Sequence, residues 1–240
     1  MLINQTDFEK LLSQGNMTVS AAQYEKFYDY SKLLVEWNEK INLTAITDPD
    51  GIALKHFYDS LYPFTFIDID QGSSVIDVGT GAGFPSCPLK IIRNDLKLTL
   101  LDSLNKRINF LREISNKLSL NADCVHGRAE EFGKKVEYRE KYDIACARAV
   151  ANLSELCEYC LPFVRINGKF IALKGSNGKE ELSYSKNAVK ILGGELELLK
   201  EYTLPNGDRR TLIVIKKITP TPEKYPRNKG QMKKKPLVNQ

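Results

Sequence analysis

Hydrophobic positions along this chain change period near residue 73. Between 20 and 41, SAAQYEKFYDYSKLLVEWNEKI sets Tyr24, Phe27, Leu34, Trp37 and Ile41 at intervals of three, four and seven, which line up on one helical face. Ser20 and Gln23 have the spacing of a capping box that starts this helix. A further helix is expected over 50–62, DGIALKHFYDSLY, so the first 65 residues read as mostly helical.

From Ser73 onward, short apolar, β-branched runs alternate with helical stretches. SSVIDVG, KLTLLDS, ADCVHGR, YDIACARAV and GKFIALKG read as strands, with helices over 86–94, 104–118, 152–164 and 178–192. Runs apolar throughout belong to strands covered on both faces, as in a parallel sheet. LELLKEYTL and RRTLIVIKKI flank PNGD, whose asparagine–glycine turn closes an antiparallel hairpin. The expected fold is α/β: a doubly wound, mainly parallel sheet ending in an antiparallel hairpin, with an N-terminal helical segment. The expected organisation is 1–65 as that segment, 66–218 as the sheet domain and 219–240 as a basic tail.

The 240 residues suffice for one large domain with a small appendage. No apolar run approaches a membrane span, and the first residues lack the basic-then-apolar pattern of a secretion signal. Five cysteines without framework spacing suit a reducing compartment, so a cytoplasmic location is expected. The net charge of +5 is unevenly spread. From Lys216 onward eight basic residues face the single acid Glu223, whereas residues 1–215 carry 27 basic and 29 acidic ones. A positive tail points to a polyanionic partner, and charge alone equally allows a solvated string.

The chemistry concentrates in DVGTGAGFPSCPLK, residues 77–90, at the carboxyl end of the first strand, where open α/β sheets bind ligands. Pro85 and Pro88 fall where the next helix begins. A phosphate-binding P-loop needs Gly-Lys followed by Ser or Thr, which is missing here. A dinucleotide loop needs G-x-G-x-x-G, and the sixth position from Gly79 is Phe84. What remains is Asp77 followed by Gly79, Gly81 and Gly83. Such a loop brings backbone close to a ligand beside a strand-tip acid, and it suits S-adenosylmethionine, a nucleoside with a sulfonium and no phosphate. Asp102 ends the second strand and is placed to accept the ribose hydroxyls. The plainer alternative is a tight turn at the glycines, with Asp102 capping the next helix.

WNEKINLT, KHFYDS, DVGTGAGFP, LLDSLNKR, GRAEE, DIACARAVANLSEL, ALKG and TPEKYPRNKG occur in an order that resembles the bacterial ribosomal RNA small subunit methyltransferase G family. The resemblance runs from about Trp37 to the tail. It implies a Rossmann-like class I methyltransferase that moves a methyl group from S-adenosylmethionine to N7 of a guanine in small-subunit (16S) ribosomal RNA. It adds Gly79, Phe84, Ala129, Glu130 and Arg148 as cofactor positions. Ser86 stands where the family usually has glycine, and Asn228 where a basic residue is common.

Guanine N7 carries a lone pair and no proton, so its methylation needs positioning rather than a general base, and no catalytic side chain is assigned beyond a possible role for Arg148. RNA phosphates are expected to meet Arg209, Arg210, Lys224, Arg227, Lys229, Lys233, Lys234 and Lys235. The substrate is expected to be small-subunit RNA or the 30S particle, the protein a monomer without a membrane or metal site. Cys157 and Cys160 read as a packed helix face, since zinc would need four ligands. His56 and Asp59 fit one helical turn and a local hydrogen bond. The competing readings are a methyltransferase for protein or small molecules and an RNA-binding module with a vestigial cofactor site.

Overall fold

The computed structural model describes residues 2–238. Met1 and the last two tail residues, Asn239 and Gln240, lie outside the described residues. The chain opens with α1 (Gln5–Ser13), capped by Asn4 Oδ1, which accepts from the Asp7 N–H. Then comes α2 (Ala21–Ile41), starting with the reciprocal cap. Ser20 Oγ accepts from the Gln23 N–H, and the Gln23 side chain accepts from the Ser20 N–H. Tyr24, Phe27 and Leu34 are buried, and Trp37 is half-buried against Phe110.

The helix expected over 50–62 is longer and irregular. It starts as α3 (Pro49–Gly51), widens into a π-helical stretch Ile52–Tyr58, continues as α4 (Asp59–Leu61) and ends in a 3₁₀ turn, Tyr62–Phe66. The wider turn changes which residues share a face. His56 and Asp59 therefore part company, in contrast to the local bond expected between them: His56 Nε2 meets Thr44 Oγ1 at 2.9 Å, and Asp59 pairs with Arg210.

Seven strands form one sheet: β1 (Ser74–Val78), β2 (Lys97–Asp102), β3 (Asp123–His126), β4 (Tyr142–Arg148), β5 (Val164–Lys174), β6 (Gly194–Thr203) and β7 (Arg209–Lys217). Their order is β3-β2-β1-β4-β5-β7-β6. The first five are parallel; β7 runs antiparallel between β5 and β6. The helices between them are α5 (Ser86–Ile92), α6 (Asn105–Lys117), α7 (Ala129–Phe132), α8 (Leu153–Cys160) and α9 (Gly178–Ile191). The chain winds outward from β1 in one direction and returns at β4 to wind the other way, so a crevice opens between the tips of β1 and β4.

The uninterrupted apolar strands are explained by two cores. Ile144, Cys146, Leu212 and Val214 face a core shared with α1, α2 and the π stretch. Their neighbours Ala145, Ala147, Ile213 and Ile215 face a second core with α8 and α9. Alternate residues of one strand thus serve opposite cores. Cys157 and Cys160 are fully buried in α8, as a packed face requires.

Residues 219–238 fold back on the sheet. Arg139 donates to the carbonyls of Gly133, Thr221, Pro222 and Tyr225. Lys217, with no exposure, donates to Leu161 O and Thr221 Oγ1 and lies 3.2 Å from Glu140; burial lowers its pKa to about 8. Arg227 grips the buried Glu158 through Nε and Nη2 at 2.8 and 2.7 Å. A short helix, α10 (Lys229–Lys234), buries Met232 against the second core. Three of the carbonyls that Arg139 holds lie in 219–238, and two of the three belong to buried residues, Thr221 and Tyr225, where a group left unpaired costs about 1–3 kcal/mol. Arg139→Ala should therefore raise hydrogen–deuterium exchange across residues 219–238, while β1 and β4 stay protected.

Candidate active site

The loop after β1 is held by two carboxylates from below and beside it. Asp77 has no exposure, and its Oδ2 accepts from Thr80 Oγ1 at 3.0 Å and from the Ser86 N–H at 3.3 Å. Its Oδ1 has no partner among the described residues. Desolvation pushes the Asp77 carboxyl up to about 7, against partial relief from Ser86 and Thr80. Asp102 Oδ2 accepts from the Gly81 N–H at 2.9 Å, and Oδ1 accepts from the Leu104 N–H. Asp102 therefore ties the glycine loop and also caps the turn into α6.

All three loop glycines have positive φ, and two of them differ in purpose. A Cβ on Gly83 would sit 2.6 Å from Tyr30 Oη and 2.7 Å from Cys87 Sγ, so this glycine lets α2 and α5 close over the loop. A Cβ on Gly81 meets nothing within 4 Å. Gly81 needs only the left-handed backbone that presents its N–H to Asp102. Ser86, where the resemblance leads one to expect glycine, is nearly fully buried, with Oγ 3.0 Å from Cys146 Sγ.

Two cavities flank the tip of β4. The first, of about 420 Å³, is lined by Gly79, Asp102, Ala129 and Glu130, with Val150 and Glu155 across from them. Lys229 and Lys233 of α10 stand at its rim. Acids and apolar side chains make up most of this wall. Asp102, Glu130 and Glu155 can accept from a nucleoside's hydroxyls and face its positive charge, and Arg128, Lys229 and Lys233 bring as many cations to the same lining. The second cavity, of similar size, is lined by His56, Asp59, Arg148, Lys174 and Arg210. Arg148 and Ala149 belong to the second cavity and Val150 and Ala151 to the first, so one short loop divides them. Ala149 holds a φ of 56°, a strained conformation for a residue with a side chain.

The expected cofactor residues thus divide into groups. Gly79, Asp102, Ala129 and Glu130 share the first cavity. Asp77, Gly81 and Gly83 shape the loop from outside it. Phe84 and Arg148 lie on the far side. The Phe84 ring stacks on Tyr30 and His56 at 5.5 and 4.6 Å, and Arg148 covers it at 4.9 Å. The expected phosphate contacts divide too. Arg209, Lys224, Lys229, Lys233, Lys234 and Lys235 are exposed. Arg227 is committed to Glu158, and Arg210 to Asp59 and Asp208. Sequence reasoning passed over Val150, Glu155 and Tyr159, which also line the first cavity. Their signal was position alone: they follow a strand whose tip faces the glycine loop.

Among the described residues no group of three His, Cys, Asp or Glu side chains is placed to hold a metal, and no helix is long and apolar enough to cross a membrane. The pattern of the family described as rRNA small subunit methyltransferase G (GidB) matches residues 23–212. A Clostridium perfringens protein named ribosomal RNA small subunit methyltransferase G is 50% identical over 231 residues, covering 95% of this chain and 97% of its own. A Geobacillus protein of the same name is 47% identical over 237 residues, 98% of this chain and all of its own. Among solved structures, a SAM dependent methyltransferase from Aquifex aeolicus superposes with a TM-score of 0.51 at 18% identity, over 78% of this chain and 98% of that one. TrmN from Thermus thermophilus gives 0.52 at 16% identity, over 66% and 48%. At such identities these two show the fold.

Asp77 makes stability depend on pH in a defined direction. Its folded pKa, about 7, lies above the ordinary 3.8, so the folded state holds the proton more tightly. The resulting penalty is absent below pH 4, grows from pH 4 to 7 and is complete above that. Asp77→Asn keeps an oxygen for Thr80 and Ser86 and removes the charge. Denaturant unfolding should show the variant gaining on the order of 2–4 kcal/mol relative to the parent at pH 8, and almost nothing at pH 4.

Proposed function

The chain belongs to the rRNA small subunit methyltransferase G family, and from that premise we propose that it transfers a methyl group from S-adenosylmethionine to N7 of one guanine in small-subunit (16S) ribosomal RNA. The observation that carries the reading is the pair of strand-tip carboxylates around the glycine loop: Asp102 lines the first cavity and orders Gly81, and Asp77 braces the loop beneath. S-adenosylmethionine supplies an electrophilic methyl group on a sulfonium. Asp102 would hold the ribose hydroxyls through the lone pairs left by the Gly81 and Leu104 N–H groups and by the longer contact from Arg107 Nη1 at 3.4 Å. Gly79, Ala129 and Glu130 line the same cavity and would flank the bound nucleoside, and Val150 covers Gly79.

The target N7 offers an in-plane lone pair, so the forming N–CH₃ bond and the breaking S–CH₃ bond need alignment and no proton acceptor. Alignment of this kind supplies up to about 7–11 kcal/mol in favourable cases. The positive charge passes from sulfur to the purine, next to a cavity wall that carries Asp59. Within this reading residues 66–218 carry the chemistry, 1–65 close one side of the site, and 219–240 present cations to RNA. Exposed Arg209, Lys224, Lys229 and Lys233–Lys235 hold phosphates, which gives affinity that falls steeply with salt. The working form is a cytoplasmic monomer acting on 30S RNA. The tail's docking beside the first cavity favours an RNA substrate over a protein or small molecule.

The test is methyl transfer by the purified protein to undermodified small-subunit RNA and 30S particles, read by mass spectrometry of nuclease digests. One new N7-methylguanine is expected; an unmethylated RNA, or a methyl group on another atom, rejects the reading. Asp102→Ala should weaken S-adenosylmethionine binding by tenfold or more, as loss of hydrogen bonds to a charged group implies. RNA binding should change less than twofold, both measured by calorimetry.

A further inference from the structure

The second cavity carries an arrangement that the first does not explain. Asp59 is 6% exposed and lies between two arginines: Arg210 Nε approaches its oxygens at 3.0 and 3.2 Å, and Arg148 Nη1 lies 3.9 Å away. Arg148 is poorly served by this. A guanidinium has five N–H donors, yet among the described residues Arg148 meets the Phe84 face, Asp59 at 3.9 Å and a long bond to Lys55 O at 3.4 Å. His56, 8% exposed, lines the same cavity, and its Nδ1 has no hydrogen-bond partner among the described residues. Burial, with the Arg148 charge adding to it, lowers the His56 pKa to about 4, so it stays neutral around pH 7. A cavity wall with a half-used carboxylate, an underemployed guanidinium and an orphaned imidazole nitrogen is built for a polar ligand.

Its chemistry follows from the reaction. An enzyme acting on a base takes that base out of the stack into a pocket. If N7 is to face a methyl donor in the first cavity, the Hoogsteen edge of guanine must point toward the dividing loop of Arg148–Ala151. The Watson–Crick edge then points to the wall that the first cavity does not share. That edge carries two donors, N1–H and the 2-amino group, beside the acceptor O6. Two donors call for a carboxylate, and O6 calls for a cation. The structure places one buried carboxylate and one underpaired guanidinium side by side there.

We propose that Asp59 reads guanine by accepting hydrogen bonds from N1–H and the 2-amino group, with Arg148 donating to O6. This inference rests on the proposed guanine-N7 activity. Adenine presents an acceptor at N1 and no 2-amino group, so it would set a lone pair against the carboxylate. Asp59 is thus a specificity residue that does not touch the transferred methyl, and Arg210 and the π-helical stretch hold it in place.

Inosine lacks only the 2-amino group and keeps N7. Reconstituted small-subunit particles with inosine in place of the methylated guanine should be methylated by the parent protein ten- to hundredfold more slowly in kcat/KM than guanine particles. A lost hydrogen bond to a charged group accounts for that size of effect. Asp59→Asn should bring the guanine-to-inosine ratio to within about threefold of one, with S-adenosylmethionine affinity unchanged by calorimetry. A merely structural carboxylate would slow both substrates alike and leave the ratio intact. If Asp59→Asn does not fold, Arg210→Gln decides. It removes the side chain that holds the carboxylate in place and should pull the ratio toward one, and a ratio as large as the parent's would overturn the proposal. So would equal parent rates on guanine and inosine. Failure of the parent protein to methylate the guanine particles instead rejects the proposed activity, and the two outcomes are read from separate lanes of one experiment.

Discussion

Two strand-tip carboxylates hold one glycine loop between them, and the rest of the site is arranged around that grip. Asp102 ties Gly81 from the side that faces the first cavity; Asp77 ties Thr80 and Ser86 from inside the core. Both bonds depend on backbone that turns left-handed at Gly79, Gly81 and Gly83. The grip is costly, because Asp77 is fully buried, one of its oxygens has no partner among the described residues, and its pKa is raised to about 7. Burying a charge so incompletely satisfied is destabilising. Such a cost persists where the surroundings fix the geometry from several directions, and here they do.

The N-terminal helices supply part of that fixing. Tyr30 donates to Ala82 O within the loop, and its ring stacks on Phe84 at 5.5 Å. Phe84 in turn carries His56 on its ring and Arg148 over it. Phe8, Phe27 and Phe57 back this stack with ring spacings between 4.9 and 6.2 Å. Each buried aromatic stabilises by roughly 1.5–3 kcal/mol, enough together to offset the strained loop. The helices that cover the sheet thereby form one wall of the second cavity. Phe84, read in the sequence as a departure from the dinucleotide pattern, is the residue that joins the two.

The fold was legible because its strands are apolar on both faces and its hairpin ends in asparagine–glycine, and both signals are local. The reciprocal Ser20–Gln23 cap was legible for the same reason. Much of the site was not. A run such as KHFYDS has helical spacing, and nothing in it announces a π turn that sends His56 to Thr44 and Asp59 to Arg210, 151 positions away. Asp77 and Asp102 were visible as strand-tip acids. That one lines a cavity while the other is sealed beneath the loop follows only from the third dimension. The same limit affected Arg148, which shares a strand tip with the first cavity and faces the second.

Charge shows the difference between composition and function most clearly. The sequence left the tail's cations between a polyanion contact and a solvated string, and the fold sorts these and the chain's other cations by what they touch. Lys217, Arg139 and Arg227 spend their donors on carbonyls and on buried Glu158, and so they build the platform. Arg148 and Arg210 crowd around Asp59. Arg209, Lys224, Lys229 and Lys233–Lys235 remain exposed, and α10 stations two of them at the rim of the first cavity. A flexible string would attract RNA without placing it. Cations fixed on a docked helix do both, because a phosphate held there also sets the distance from the RNA backbone to the crevice. The interior cations thus determine where the exterior ones act, and removing an anchor such as Arg139 would move the patch without changing the net charge of the patch itself.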